Sequence, residues 1–408
     1  MGAVAALLAQ VIVDLRGGRN RFMTSPLFLL SAIGIVFFSV FQSIWGGNTR
    51  SDIASFVGSQ AEGIILAFCM ACLVFYLVAS RLSPIAKSAL SNRLVVPLFV
   101  LTACVSCFDI ASYFLKSSQA PVPQLLAKAH FAAPPLISLC LCLLVRNAPA
   151  RGRYVQLAIF LLTIASLGGL IYVREGKIVM FILAAVSFYA IRVFDLSFPR
   201  IILATLAVSL IALAFGYSIQ QTRWLVSVGP NPSAERYYTN FQSKAVYRQT
   251  ETGFCLDNVL KEHTAEPFAA SEQLFWIRGL VPRILWQDKP SLSMGKEYAV
   301  KYCLRVERTL GDHSSSITLL GQPLIHGGVI GLILHSGLLI LGLAVVERFN
   351  ANPAALPTAM VAALLPWLMD LDQDFAMYIA NAVKFALVMA VVFVPIAIIE
   401  RRAADFDP

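Results

Sequence analysis

The sequence predicts an all-α polytopic membrane protein with about ten transmembrane helices and one large water-facing loop. Three observations lead to this fold class. Only 13% of the 408 residues are charged and 58% are hydrophobic, whereas about a quarter of the residues in a soluble protein are charged. The mean hydropathy is +0.73. The apolar residues also form stretches of about 20 residues, the length a helix needs to cross a bilayer.

The apolar stretches divide the chain into three regions. An N-terminal membrane region (1–219) holds candidate spans at 26–45, 63–80, 94–115, 131–145, 154–173, 178–193 and 201–219. A polar loop (220–316) precedes a C-terminal membrane region (317–408) with spans at 324–346, 354–369 and 379–399. The fourth span is short and contains Pro134 and Pro135, so we expect it to be kinked or extended toward residue 127. No signal peptide is expected, because the apolar stretch 3–13 is too short and its positive charges follow it.

The charges of the connecting loops predict the orientation. Lys and Arg cluster before the first span, after the second, fourth and last spans, and around residues 192–200. By the positive-inside rule these loops are cytoplasmic, so both termini are cytoplasmic and the loop 220–316 faces outward. Such clusters also explain the net charge of +9 without nucleic-acid binding. Arg174 and Lys177 depart from this pattern, and they either snorkel to the outer interface or contact a phosphate group.

The eight cysteines fall into two groups. Six lie within predicted spans, where a thiol behaves as a small apolar side chain. Among their neighbours only Asp109 offers a second type of metal ligand, so no metal site is expected there. Cys255 and Cys303 lie in the outward loop, on the oxidising side of the membrane. We therefore expect a disulfide between these two residues.

Two helices are predicted within the loop. Aromatic and basic residues recur at near-helical spacing over 234–254, which predicts a helix lying over the membrane. The segment 271–285 is more apolar, and its spacing predicts a helix that dips into the membrane and ends or kinks at Pro282. Its membrane-dipping face would consist of Phe275, Trp276, Leu280 and Ile284.

The basic and aromatic residues of the loop suit an anionic, sugar-bearing ligand. Arg278, Arg283 and Lys289 lie within twelve residues, flanked by Trp276 and Trp286. A guanidinium group binds phosphate oxygens through paired hydrogen bonds, and an indole face stacks on a sugar ring. The alternative is an interfacial belt of Trp and Arg that anchors the loop to lipid.

Histidines mark the return of the chain to the membrane. Asp312 and His313 lie just outside the predicted span, and His326 lies slightly within it. A histidine at the mouth of a cavity can act as a base or donate to a phosphate, although an isolated histidine is more often structural. The glycines at 327, 328 and 331 permit close helix packing.

These segments together resemble a known family. The run LVPRILWQDKP (280–290), followed by SSSITLLGQ (314–322) and a Gly-containing helix start, is similar to oligosaccharide repeat-unit polymerases of the O-antigen polymerase (Wzy) type. The resemblance covers about 50 residues closely and the rest of the chain by topology. Gln287 stands where a proline is expected in the Trp-Pro-Asp-Lys-Pro version of the motif.

The resemblance implies a GT-C-like fold and a metal-independent glycosyltransferase without a cofactor, in the bacterial inner membrane. Its substrate would be an oligosaccharide on undecaprenyl pyrophosphate, polymerised at the periplasmic face into O-antigen or exopolysaccharide. A chain-length regulator and a flippase would be partners in lipopolysaccharide biosynthesis.

The resemblance also implies roles for named residues. Arg278 and Arg283 would stabilise the pyrophosphate leaving group, and His313 would be the base, with Glu272 or Asp312 in reserve. The substrate-binding residues would be Arg174, Lys177, Arg223, Trp276, Trp286 and Lys289.

Three alternatives stay open. An O-antigen ligase shares the outward loop and the basic site. A lipid-linked oligosaccharide flippase usually places ionisable residues near the midplane and shows repeated halves, and neither feature is evident here. An accessory subunit would use the loop only to dock a partner. Asp370 and Asp372 have the spacing of a metal-binding pair, but an acidic turn is more often a solvated cap.

Overall fold

The computed structural model describes residues 2–16, 20–36, 60–79, 92–117, 124–147, 176–194, 241–281, 285–289, 294–303, 317–351, 356–371 and 373–406, together with a few positions between 199 and 210. In this part of the chain 87% of the residues are helical and there is no β-strand. The all-α prediction is therefore confirmed for the described residues.

Twelve α-helices are described. They are α1 (Gly2–Arg16), α2 (Pro26–Ile35), α3 (Gln60–Ala79), α4 (Asn92–Ser117), α5 (Gln124–Asn147), α6 (Gly176–Val193), α7 (Phe241–His263), α8 (Ile277–Leu280), α9 (Gly295–Lys301), α10 (Thr318–Asn350), α11 (Leu356–Leu368) and α12 (Phe375–Phe406). Short 3-10 turns occupy Asn20–Thr24 and Ala270–Glu272.

Each predicted span that falls largely within the described part coincides with a helix. The fourth does begin early, at Gln124. The spans predicted at 154–173 and 201–219 lie wholly or mostly outside the described residues.

Three of the described helices are long and apolar enough to cross a membrane. They cover Gln60–Ala79, Thr318–Asn350 and Phe375–Pro395. Apolar side chains also cover their outer surfaces: Ile333 in α10 is 66% exposed and Val391 in α12 is 73% exposed. A helix in water would bury such residues along one stripe, so a helix that is apolar on its exposed side as well suits a lipid surrounding.

Helices α2 and α3 pack closely against each other. Ser25 caps α2 by accepting a hydrogen bond from Phe28 N (3.0 Å), and Pro26 occupies the first turn, where its missing N–H is not needed. Ser31 Oγ donates to Cys69 O (2.8 Å) in α3. A Cβ at Gly34 would overlap Cys69 Sγ, so glycine is what allows α2 and α3 to pack this closely.

A buried polar network joins three helix ends at one end of the bundle. Arg192, at the end of α6, donates to Thr24 and Asn350. Glu347, at the end of α10, accepts from Ser25 Oγ (2.8 Å) and from Asn350 Nδ2 (3.0 Å). All five side chains are buried, and each charge has partners, as burial of charge requires. The network therefore ties the start of α2 to the ends of α6 and α10.

The polar segment 241–303 lies at the opposite end of the bundle. There the start of α10 meets the turn before α12, through Leu319 N to Leu371 O (3.3 Å) and Ala376 N to Gln322 Oε1 (2.8 Å). Helix α7 packs on α3 and α10, and α8 packs on the start of α12. Since α10 runs from this end to the Arg192 network, the two polar regions are a full helix length apart.

The structure corrects both helix predictions for the loop. The helix predicted at 234–254 extends to His263, and its second half is packed into the core through Cys255, Leu256, Val259 and Leu260. The segment 271–285 is a 3-10 turn followed by the four-residue helix α8, not one long helix.

The membrane-dipping face predicted for 271–285 is wrong at Phe275, while Leu280 is half-buried. Phe275 is only 8% exposed, because it packs inward against α10, and Trp276 is half-buried. The exposed apolar side chains are Leu274 (58%), Ile277 (38%) and Leu285 (78%). Ile284 lies outside the described residues.

Candidate functional site

Helix α10 is broken at two consecutive glycines. Gly327 has φ −163° and ψ 19°, and Gly328 has φ 58° and ψ −153°. The conformation of Gly328 is open essentially to glycine alone. A Cβ at Gly328 would lie 2.6 Å from Glu266 O. The turn that follows α7 therefore passes directly against the break, and only glycine permits that approach.

Gln273 inserts its side chain into the break. Its Nε2 donates to Ala269 O (2.8 Å) and to His326 O (2.9 Å). Because both partners are carbonyl oxygens, the amide nitrogen and oxygen are assigned without ambiguity. The Oε1 atom points toward Gly331, where a Cβ would lie 3.2 Å away. It is buried and has no hydrogen-bond partner within the described residues.

His335 holds the polar segment to α10 about two turns beyond the break. Its Nδ1 lies 2.8 Å from Gly331 O and its Nε2 lies 3.0 Å from Gln273 O. The side chain is fully buried. Both ring nitrogens face backbone carbonyls, so this histidine has a structural place in the junction.

His326 is the last residue before the break, and its ring faces the opening. The ring stacks on Phe275 with centroids 4.3 Å apart and an interplanar angle of 15°. Its Nδ1 lies 3.6 Å from Glu272 Oε2. The side chain of His326 is 25% exposed and that of Glu272 is 59% exposed. Phe275 also contacts the rings of His335 and Phe375, so the surface under His326 is firmly held.

Arg278 is the predicted cation that the structure brings to this place. It lies in α8 with an exposed side chain, within electrostatic range of His326. Glu272 and His326 come from two elements that meet at α10, and Arg278 in α8 interacts electrostatically with His326. A cation, a carboxylate and an imidazole therefore share one partly exposed surface.

Lys289 takes a supporting position. Its Nζ donates to Gly279 O (3.2 Å) and to Val281 O (2.8 Å), at the end of α8. A cation at these last carbonyls stabilises a helix end. This contact ties the turn around Trp286, which is 36% exposed, to the short helix that carries Arg278.

Most of the other predicted site residues lie outside the described part of the chain. These are Arg174, Arg223, Arg283 and His313, together with the reserve base Asp312. Lys177 lies at the start of α6, but its side chain is not described. Among the described residues, no group of three or more His, Cys, Asp or Glu side chains is placed to hold a metal ion.

The polar segment is stapled by contacts between α7 and the region of α9. Cys255 in α7 and Cys303 after α9 form a disulfide, the pairing expected from the sequence. Lys301 Nζ lies 2.6 Å from Glu262 Oε1, and this contact lowers the pKa of Glu262 and raises the pKa of Lys301. His263 Nε2 lies 2.7 Å from Tyr302 Oη, and burial raises the pKa of that tyrosine. These contacts join α7 to α9 and to the two residues that follow α9.

Sequence patterns did not find Gln273, His335 or the pairing of Glu272 with His326. One signal was available. Two adjacent glycines within a long apolar helix often mark a kink, and here they follow a histidine. From the sequence, the glycines at 327, 328 and 331 predict close helix packing instead of a break in the helix.

The site can support chemistry on a substrate with both a hydroxyl group and an anionic leaving group. The guanidinium of Arg278 is suited to the anion, and the Glu272–His326 pair is suited to a proton. Searches against protein-family models, curated proteins and solved structures found no match to this chain.

Proposed function

We propose that this chain is a membrane-embedded glycosyltransferase that polymerises oligosaccharide repeat units carried on undecaprenyl pyrophosphate. The proposal adopts the activity of the O-antigen polymerases that the sequence resembles. It places about ten spans in the bacterial inner membrane, with both termini cytoplasmic and the polar segment in the periplasm. The product would be O-antigen or exopolysaccharide.

The observation that carries the proposal is the convergence of Arg278, Glu272 and His326 at the broken helix α10. Their surface is partly exposed, and it lies at the end of the bundle that bears the polar segment. A lipid-linked substrate would present its pyrophosphate at the membrane boundary, which is where such a surface is needed. The exposed apolar residues Leu274, Ile277 and Leu285 lie on the same segment and suit contact with lipid.

The reaction needs stabilisation of charge more than it needs a metal. The hydroxyl oxygen of the acceptor unit attacks the anomeric carbon of the donor unit, and the bond to the lipid pyrophosphate breaks. Negative charge grows on the leaving oxygen. Arg278, together with Arg283, would stabilise that charge with preorganised donors. Trp276 and Trp286 would stack on sugar rings, while Lys289 keeps α8 in place.

A synthetic substrate tests the proposal. Purified protein in lipid nanodiscs would be incubated with undecaprenyl-pyrophosphate-linked repeat units, and the products sized by gel electrophoresis and mass spectrometry. Wild type is expected to build a ladder of polymers. Arg278→Ala should lower the rate by about 10²-fold or more, the usual effect of removing one stabilising donor, and Arg278→Lys should lose less. Lys296→Ala, at an exposed position in α9, is the matched control.

Three outcomes would contradict the proposal. A normal ladder from Arg278→Ala would remove Arg278 from the site. Transfer only to an added lipid A core acceptor would make the protein a ligase. Movement of the lipid-linked unit across the bilayer, without any new glycosidic bond, would make it a flippase.

A further inference from the structure

We propose that His326, oriented by Glu272, is the base that takes the proton from the acceptor hydroxyl. The proposal rests on the polymerase function above and assigns the proton transfer to a residue of the broken helix. The sequence nominated His313 for this role, with Glu272 only as an alternative base. The structure instead pairs Glu272 with His326 across 54 positions of the chain.

The geometry of His326 is that of an oriented base. A histidine base needs an open nitrogen, and a fixed ring plane with a carboxylate near the other nitrogen helps to orient it. Stacking on Phe275 holds the plane, and Glu272 Oε2 lies 3.6 Å from Nδ1. Within the described residues, Nε2 makes no hydrogen bond, and the side chain is 25% exposed. This nitrogen is therefore open to a ligand.

The other two histidines described at this end of the bundle are buried. His335 is fully buried, and both of its nitrogens face backbone carbonyls. His263 is 5% exposed, with Tyr302 Oη at 2.7 Å from Nε2 and Glu266 Oε1 at 2.8 Å from Nδ1. Of the three, only His326 has a nitrogen that can reach a substrate.

The charges around His326 suit a base that is neutral before reaction and charged after it. The titratable groups that face it are Glu272 from the 3-10 turn, Arg278 from α8 and His335 from α10. Burial opposes a positive charge on the ring more than any neighbouring group does, and the cation Arg278 adds to that effect. Glu272 then stabilises the imidazolium once the proton has arrived. The cation that opposes premature protonation is also the one placed to hold the leaving anion.

The step balances within the two substrates and the protein. The bond from the acceptor oxygen to the donor anomeric carbon forms, while the bond from that carbon to the pyrophosphate oxygen breaks. The bonding electron pair leaves with the lipid pyrophosphate. The hydroxyl proton passes to His326 Nε2 and from there to water, which restores the neutral imidazole for the next unit.

The experiment measures kcat/KM for polymerisation against pH in wild type, His326→Gln, Glu272→Gln, His313→Gln and the control Glu262→Gln. Glu262 matches Glu272 because its carboxylate is also exposed, but it pairs with Lys301 and not with His326. His326→Gln should lower kcat by 10²-fold to 10⁴-fold and abolish the fall in rate at acidic pH. Glu272→Gln should move that fall to lower pH, because the imidazolium loses its stabilising carboxylate, and Glu262→Gln should leave it unchanged.

Binding separates a base from a structural residue. Affinity for a non-reacting phosphonate analogue of the lipid-linked donor should stay within about twofold of wild type in His326→Gln and should fall in Arg278→Ala, because Arg278, unlike His326, contacts the anion in this scheme. Glu272 is 59% exposed, so its variant is expected to fold even if His326→Gln unfolds. In that case the base assignment is decided by whether the fall in kcat/KM at acidic pH moves to lower pH in Glu272→Gln.

The outcomes separate the two proposals. If wild type makes no glycosidic bond, the polymerase function fails. If wild type polymerises and His326→Gln keeps both the wild-type rate and the fall in rate at acidic pH, the function stands and the base assignment is overturned. The base assignment would also be overturned if the fall in rate at acidic pH disappeared in His313→Gln but not in His326→Gln.

Discussion

Replacing Gly328 with Ala should undock the polar segment from the broken helix. Two costs follow from the structure. The backbone has φ 58° and ψ −153°, and holding a residue with a side chain there costs about 1–3 kcal/mol. The new Cβ would also lie 2.6 Å from Glu266 O, a backbone atom that cannot swing away, and such overpacking costs about 1–3 kcal/mol. The free energy of unfolding should therefore fall by about 2–6 kcal/mol.

Thermal unfolding of detergent-solubilised protein measures this loss. At about 2 °C per kcal/mol, the Tm of Gly328→Ala should fall by roughly 4–12 °C. Gly337→Ala and Gly342→Ala are matched controls in the same helix, because an added Cβ at either position meets no atom within 4 Å. They should change stability by less than about 1 kcal/mol, and in the stabilising direction. A Gly328→Ala protein with the Tm of these controls would refute the geometry of the break.

Two further predictions concern the staple between α7 and α9. Cys255 and Cys303 are 48 positions apart, so replacing both with Ser should cost about 4 kcal/mol of chain entropy. Reductant should lower the Tm of wild type but not of the double variant, and an insensitive wild type with two alkylatable thiols would contradict the disulfide. The Glu262–Lys301 pair is about half exposed, so Glu262→Gln should cost less than about 1 kcal/mol. The pKa of Glu262 is lowered in the folded protein and that of Lys301 is raised. The pair therefore makes its full contribution to the free energy of unfolding at pH values between the unfolded-state pKa of Glu262 and that of Lys301. This contribution is lost as the pH falls through the folded value of Glu262 or rises through that of Lys301. A Tm difference from wild type that persists well below the pKa of Glu262 would argue against the pairing.

The sequence does not predict which residues, far apart in the chain, meet at the site. The sequence predicts Arg278 as a site residue, because a cation in a polar loop can be recognised from the local sequence alone. The 271–285 segment was predicted to be one amphipathic helix, since its apolar spacing fits a helical period. That spacing does not show that Gln273 and Phe275 turn inward to fill a break more than 50 residues away. Tertiary contacts with α10 therefore divide the segment into a 3-10 turn and a short helix.

The sequence alone determined that the chain is helical and apolar enough to enter a membrane. Lipid offers no hydrogen bonds to the backbone, so long apolar stretches must satisfy their own peptide groups as helices. It also predicted the pairing of Cys255 with Cys303, which the structure confirms. Only the tertiary structure decided that His326 faces Glu272 and that Gly328 lies against Glu266 O. Both contacts join residues more than 50 positions apart, and they depend on how α7 and the following turn pack against α10, which local periodicity does not encode.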